Sequence, residues 1–154
     1  MDTEITLADG GRETLGSLEA LWNGLNAHHM RLPSHFKDYY STRSFSDRLA
    51  ELVSKEGAMR VVRAFRGGIF IGFCVSSVSQ DGTGEIDSLA VAAQSRNGGL
   101  GSRLIGDALA WFESMDTKRV ILSVYEGNTD AARFYERHGF APKYTVYEKI
   151  TQEN

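Results

Sequence analysis

Residues 85–124 constrain the fold more than any other stretch of this sequence. EIDSLAV at 85–91 has the alternation of a half-buried strand, and AAQSRNGG follows it as a glycine-containing turn. From about Leu100 to Met115, Leu100, Leu104, Ile105, Ala108, Leu109 and Phe112 recur at three- and four-residue spacing, which makes one apolar stripe on a helix. RVILSV at 119–124 then restores a strand pattern. A strand, a helix and a second strand joined in this way form a parallel crossover, and the twist of the strands makes that crossover right-handed.

The rest of the chain supplies the partners. EITL at 4–7 reads as an opening strand, broken by Gly10 and Gly11. Leu15, Leu18, Leu21, Trp22 and Leu25 predict a helix over 13–29, which Pro33 terminates. Residues 28–44 show no clean period and read as a long surface connection. A second helix is predicted over 44–55, with Phe45, Leu49, Leu52 and Val53 facing inward and Gly57 beyond its end. Residues 59–65 and 69–77 form an antiparallel hairpin through Arg66, Gly67 and Gly68, and the turn at 80–84 leads into the strand at 85–91. Simple alternation puts Glu85, Asp87, Leu89 and Val91 on one face of that strand. A short helix over 129–138 and a last strand over 144–149 complete the order. The expectation is one α/β domain over residues 1–154, with a mixed, mostly antiparallel central sheet flanked by helices.

Composition excludes several classes. A formal net charge of -3 gives no electrostatic footprint for nucleic acid. The only cysteine, Cys74, lies in an apolar run, so it cannot form an intramolecular disulfide and reads as a buried, inert thiol. No run approaches the roughly 18 apolar residues of a membrane span. The opening MDTEITLADGG lacks the basic start and apolar stretch of a secretory signal, so a cytoplasmic location is expected. His28, His29 and His35 have neither the spacing nor the Cys or Glu partners of a metal site, and no metal is expected. Trp22 and Trp111 read as packing residues.

The turn between strand and helix carries the chemistry. Arg96, Asn97, Gly98, Gly99, Leu100 and Gly101 stand where unpaired N–H groups and the positive end of a helix dipole meet a flexible backbone, with Arg103 adding charge. An ordinary tight turn also uses glycine, so the run alone leaves a purely structural role open. No Gly-Lys-Ser/Thr ending is present, which argues against a nucleoside-triphosphate loop, and the repeating strand-helix series of a dinucleotide fold is missing.

Two segments in register nevertheless resemble the GNAT superfamily of acyl-CoA-dependent N-acyltransferases. Arg96, Gly99 and Gly101 meet its Gln/Arg-x-x-Gly-x-Gly/Ala motif after EIDSLAV, and NTDAARFYERHGF from Asn128 to Phe140 is similar to its downstream segment. The resemblance covers about residues 85–140 and implies a GNAT-like fold and acetyl transfer from acetyl-CoA to a primary amine by direct attack.

It further implies that the amides between Arg96 and Ser102 hold the diphosphate. Leu89, Ala90 and Val91 would pair with the pantetheine arm as an added strand, and Asn128 would bond the cofactor or cap the helix that follows it. Tyr135 would protonate the departing thiolate, the alternative being a tyrosine packed beside Ala131 and His138. A lysine-like amine is only about 0.04% neutral at pH 7, so a base is needed. Members of the family use a carboxylate at the position of Glu85 or of Asp87. His28 and His29 fall in the connection that lines the acceptor pocket in similar proteins.

The resemblance also implies a homodimer. Net negative charge and the nearby carboxylates lean toward a cationic acceptor such as a diamine, polyamine or lysine side chain. The contrasting possibilities are a CoA-binding or sensing module without turnover, and a nicotinamide-dinucleotide protein.

Overall fold

The structure, a computed structural model, describes residues 4–151, with the side chains of Lys37, Asp38 and Tyr40 left aside. Five strands form one sheet in sequence order: β1 (Ile5–Gly10), β2 (Ala58–Arg66), β3 (Ile69–Val78), β4 (Thr83–Val91) and β5 (Arg119–Leu122). β1 to β4 pair with one another antiparallel, and β4 pairs with β5 in parallel across the crossover helix. The helices are α1 (Glu19–Met30), α2 (Lys37–Thr42), α3 (Phe45–Ser54), α4 (Leu100–Ser114) and α5 (Thr129–Arg137).

Both faces of the sheet are covered, and neighbouring residues serve opposite cores. On the α4 face, Val62, Cys74 and Ile86 pack with Leu104, Ile105 and Phe112. On the other face, Val61, Phe73 and Val75 pack with Leu15, Leu18, Trp22 and Phe45. The period-2 side-chain alternation of a strand explains why β3 is almost continuously apolar: each of its faces meets a layer of helices.

Four features differ from simple sequence patterning. The segment expected to be helical from residue 13 opens as a 3-10 turn over Arg12–Leu18 before α1 begins. There Thr14 Oγ1 donates to the Gly11 carbonyl and Ser17 Oγ to that of Thr14, local bonds that compete with α-helical pairing. The connection over 28–44 contains the six-residue α2, too short to display a stripe. A bulge in β4 leaves Asp87 without a partner between the pairs Ile86–Ser76 and Ser88–Val75, which reverses the alternation. Ile86, Leu89 and Val91 all pack toward α4, whereas Glu85 and Asp87 face the α3 side, so Glu85, Asp87, Leu89 and Val91 do not share one face.

The strand expected over 144–149 is likewise not formed. Residues 141–151 carry no strand pairing, and Tyr144, Val146 and Tyr147 stand in solvent. Alternation gives a segment the capacity to be a strand, but a strand exists only when an edge accepts its backbone groups. Phe140 packs on the core beside Tyr135, and the chain then leaves the sheet.

Well-placed local signals hold the frame. Ser44 and Asp47 form a reciprocal capping box at the start of α3. Gly57 has φ +94, and a Cβ there would lie 2.1 Å from the Val78 carbonyl oxygen. Gly57→Ala is therefore expected to destabilise the fold by about 3 kcal/mol, combining left-handed strain with a backbone clash, as a denaturant melt would register.

Candidate active site

The cleft follows from a mismatch in strand length. β5 pairs with β4 only from Thr83 to Ile86, while β4 continues to Val91. Residues 87–91 therefore have no β5 partner on that edge, and the sheet splays into a cleft of about 1270 Å³. Leu89, Ala90 and Val91 lie along its floor; His28, His29, Tyr39, Arg43 and Arg48 line one wall, and Phe134 and Tyr135 of α5 the other.

The glycine-containing loop closes one end. Asn97 and Gly99 both adopt left-handed backbone, with φ of 67° and 83°, and Gly99 caps α4. The N–H of Arg103 makes the first intrahelical bond, to the Gly99 carbonyl, so the amides of the turn before it project from a 15-residue helix. Arg96, Asn97, Gly99, Leu100, Gly101 and Ser102 line the cleft. α5 approaches closely: a Cβ at Gly101 would lie 3.1 Å from the Phe134 ring. Ser102 Oγ lies 3.0 Å from His138 Nε2, joining the starts and ends of the two helices.

Some expected residues are placed elsewhere. Arg103 turns to β1, where its guanidinium donates to the Ile5 carbonyl at 3.1 Å, and it does not line the cleft. Gly98 is exposed behind the loop. Asn128 lines the cleft, but its Oδ1 accepts from the Ala131 N–H and so caps α5. His35 is exposed and outside the lining.

Tyr135 reaches the cleft from α5, held edge-on by Phe134 at 5.2 Å and Phe140 at 6.0 Å between ring centroids. Burial, with a smaller contribution from Cys74, pushes its phenol well above the ordinary tyrosine range, so it stays protonated at physiological pH. Burial likewise pushes the Cys74 thiol up to about 12, which leaves it un-ionised and inert at neutral pH.

The two carboxylates differ. Asp87 has a side chain only 2% exposed; Lys55 Nζ binds its Oδ1, and Ser77 Oγ donates to its Oδ2 at 2.6 Å. Glu85 is 36% exposed and meets Lys55 at 3.2 Å. Burial pulls the Lys55 ammonium down, but the hydrogen bond and charge of Asp87, with the charge of Glu85, outweigh it and raise its pKa. Removing Lys55 would strand a buried carboxylate. Lys55→Met is expected to lower stability by about 1–2 kcal/mol, the partial exposure of the lysine reducing the cost of breaking a fully buried pair. Because the folded pKa is raised, the contribution is present below the ordinary 10.5 and disappears as pH climbs through the folded value. Melting temperatures of both proteins from neutral to strongly alkaline pH check this.

On the opposite wall, Arg43 and Arg48 share Glu51, at 2.6 and 3.0 Å, and Arg43 also binds the Tyr39 hydroxyl. Tyr125 stands edge-on to His29 at 4.6 Å. Burial, aided by neighbouring His28, lowers the His29 imidazole to about 4. His28 is lowered by burial and by Arg96 and Arg31, with Asp130 opposing. An unfolded histidine takes its proton near 6.5, so between pH 6.5 and 4 the unfolded chain binds more protons than the fold and stability falls with pH. His29→Asn is expected to flatten that part of the melting-temperature profile, which a pH series against the wild type measures.

Sequence reasoning missed the clamp of Lys55, Ser77 and Arg48 around Asp87, the last donating to its carbonyl at 2.7 Å. It also missed Arg133 and Arg137, which line the cleft from α5. The run AARFYER does hold both arginines four apart, the one signal that could have placed them on a common helix face. Among the described residues, no cluster of His, Cys, Asp or Glu is arranged to hold a metal, and no helix is long and apolar enough to cross a membrane.

A parallel pair that parts beyond Ile86, beside a glycine-capped helix, defines the cleft of this α/β protein. The chain belongs to the acetyltransferase (GNAT) family, whose model matches residues 22–140. Solved structures share the fold. A Pyrococcus furiosus protein assigned as an acetyl transferase aligns with TM-score 0.77 and 23% identity, over 95% of this chain and 99% of its own. The aminoglycoside N-acetyltransferase AAC(6')-Iy, solved in complex with CoA, aligns with TM-score 0.67 and 16% identity, over 99% and 97%. A ribosomal-protein-alanine N-acetyltransferase from Brucella melitensis biovar Abortus 2308 aligns with TM-score 0.68 and 16% identity, over 95% and 99%. A search of curated protein sequences finds no match.

Proposed function

We propose that the protein is an acetyl-CoA-dependent N-acetyltransferase that acts on a primary amine by direct attack. The observation that carries this reading is the edge of β4 at residues 87–91, without a β5 partner, which runs up to the start of α4, where no side chain caps the helix. An extended pantetheine arm fits beside such an edge as an added strand, and a diphosphate fits the amides and dipole at its end. Leu89, Ala90 and Val91 would hold the arm, and the loop from Arg96 to Ser102, without Arg103, the diphosphate. When bound, acetyl-CoA supplies a thioester whose acetyl carbon an amine attacks, with the thiolate leaving.

The protein's own groups then divide the proton traffic. Tyr135, kept protonated by its burial, would give its proton to the departing sulfur. Glu85 is the better placed carboxylate to accept the amine's proton, directly or through water, because it is partly open and has a single ion-pair partner. Asp87, with both oxygens engaged, would hold Lys55 and the bulge in place. Glu85→Gln should therefore lower kcat by about 100-fold, the lower end for a lost general base. An unchanged kcat would take Glu85 out of the mechanism.

The acceptor class is an amine, in keeping with relatives named for aminoglycosides and for a ribosomal-protein alanine. Of the carboxylates lining the cleft, Glu51, Glu85 and Asp87 are each paired with a cation, which leaves Asp130 to carry the lean toward a cationic acceptor. Thiol release from acetyl-CoA across aminoglycosides, polyamines, amino acids and peptides tests the proposal. Calorimetric binding of acetyl-CoA with no release for any acceptor would instead favour a sensing module.

A further inference from the structure

The sequence holds two Asn-Gly pairs, Asn23–Gly24 and Asn97–Gly98, and the fold treats them differently. In such a pair the glycine nitrogen can close a five-membered ring on the asparagine Cγ. Without a Cβ, the glycine neither shields that nitrogen nor limits the rotation that brings it in. Closure then depends on whether the amide is free and the backbone can turn. Gly24 lies inside α1, where the helix engages its N–H and fixes its dihedral angles.

Asn97 and Gly98 stand instead in the turn between the 3-10 segment Ala93–Ser95 and α4. Residues 96–99 are exposed, and Asn97 has a left-handed backbone with φ 67°. Among the described residues, neither the Gly98 N–H nor the Asn97 carboxamide has a hydrogen-bond partner. Every restraint present at Asn23 is missing here.

We infer that Asn97 is a site of spontaneous deamidation, which turns a neutral residue of the cleft into an anionic one. Hydroxide takes the Gly98 N–H proton, and the nitrogen attacks Cγ of Asn97. The new C–N bond closes an imide as the Cγ–Nδ2 bond breaks, and ammonia leaves with a proton from water. One further water opens the imide. Breaking its bond to Cγ gives aspartate; breaking its bond to the backbone carbonyl carbon gives isoaspartate, in which the chain runs through Cγ and is longer by one methylene. Asn97 lines the cleft, so either carboxylate enters it. The consequence for the cofactor rests on the proposed acetyl-CoA reading: a negative charge in this turn opposes the diphosphate, and the longer chain shifts the amides that follow. Cofactor binding then declines with the age of the molecule, faster at alkaline pH.

Incubating the folded full chain in heavy-oxygen water, then digesting it in ordinary water, labels only the asparagines converted in the native state. Mass spectrometry should find label at residue 97 accumulating at least about tenfold faster than at Asn23, the margin that helical protection provides, and faster as pH rises. Gly98→Ala should slow it by about tenfold, because the methyl group shields the nitrogen. The fold accommodates that change, since Gly98 is not left-handed and its added Cβ would lie 3.6 Å from the Ser95 carbonyl oxygen. In calorimetry, the CoA affinity of wild type should fall in step with the label. Asn97→Asp should start about tenfold weaker. Label at residue 97 that is absent, or no faster than at Asn23, would overturn the inference, as would fully converted protein that binds CoA like the fresh sample. Fresh protein without affinity for CoA would contradict the proposed activity and not the modification, which the label reads by itself.

Discussion

Gly101→Asp is expected to weaken acetyl-CoA binding by about 100-fold, on the order of 2.7 kcal/mol. Two effects act together. The new Cβ meets the Phe134 ring at 3.1–3.2 Å, which displaces α5 from the loop by a few tenths of an ångström. The carboxylate also stands among amides that would otherwise face a diphosphate, and opposes its charge. Gly101→Ala separates the two, because it brings the crowding without the charge; it should cost about tenfold or less. Titration calorimetry reads both, with thermal melts verifying that each variant folds. Equal affinity in wild type and Gly101→Asp would mean that the diphosphate lies elsewhere.

Tyr135→Phe is expected to lower kcat by about 100-fold or more while leaving KM for acetyl-CoA nearly unchanged. The ring is held by Phe134 and Phe140, so phenylalanine keeps the packing and removes only the hydroxyl. Because burial raises the phenol's pKa, the wild-type rate should show no loss from tyrosine ionisation up to the ordinary value near 10. A variant with full turnover would assign the proton to water or another group. A variant with raised KM and unchanged kcat would assign Tyr135 to binding.

The parts of this protein that could be read in advance are those governed by local period. The α4 stripe, the hairpin through Gly67 and Gly68 and the parallel crossover are set by spacing and turn chemistry. The loop was legible because Gly99 and Gly101 are demanded at fixed offsets, one by a left-handed backbone and the other by the approach of Phe134. The bulge at Asp87 was not, since EIDSLAV alternates as a flat strand does and only pairing with β3 exposes the extra residue. Nor was the clamp on Asp87: Lys55 and Ser77 come from separate elements, and no spacing relates them. Arg103 is the converse case, sitting beside the loop in sequence yet bonded to β1 in the fold. The strand expected over 144–149 does not form, because alternation gives only the capacity to pair and the partner that such a pattern needs is not a property of the segment.

The central claim is that the unpaired β4 edge and the amides of the 96–102 turn form one binding surface for acetyl-CoA. Amide hydrogen exchange of the protein with and without saturating CoA tests it most directly. The account predicts new protection at the β4 edge within residues 89–91 and at Gly99, Leu100, Gly101 and Ser102, with β1 and β2 unchanged. Binding that leaves these amides exchanging as before, or protects a different surface, would contradict it.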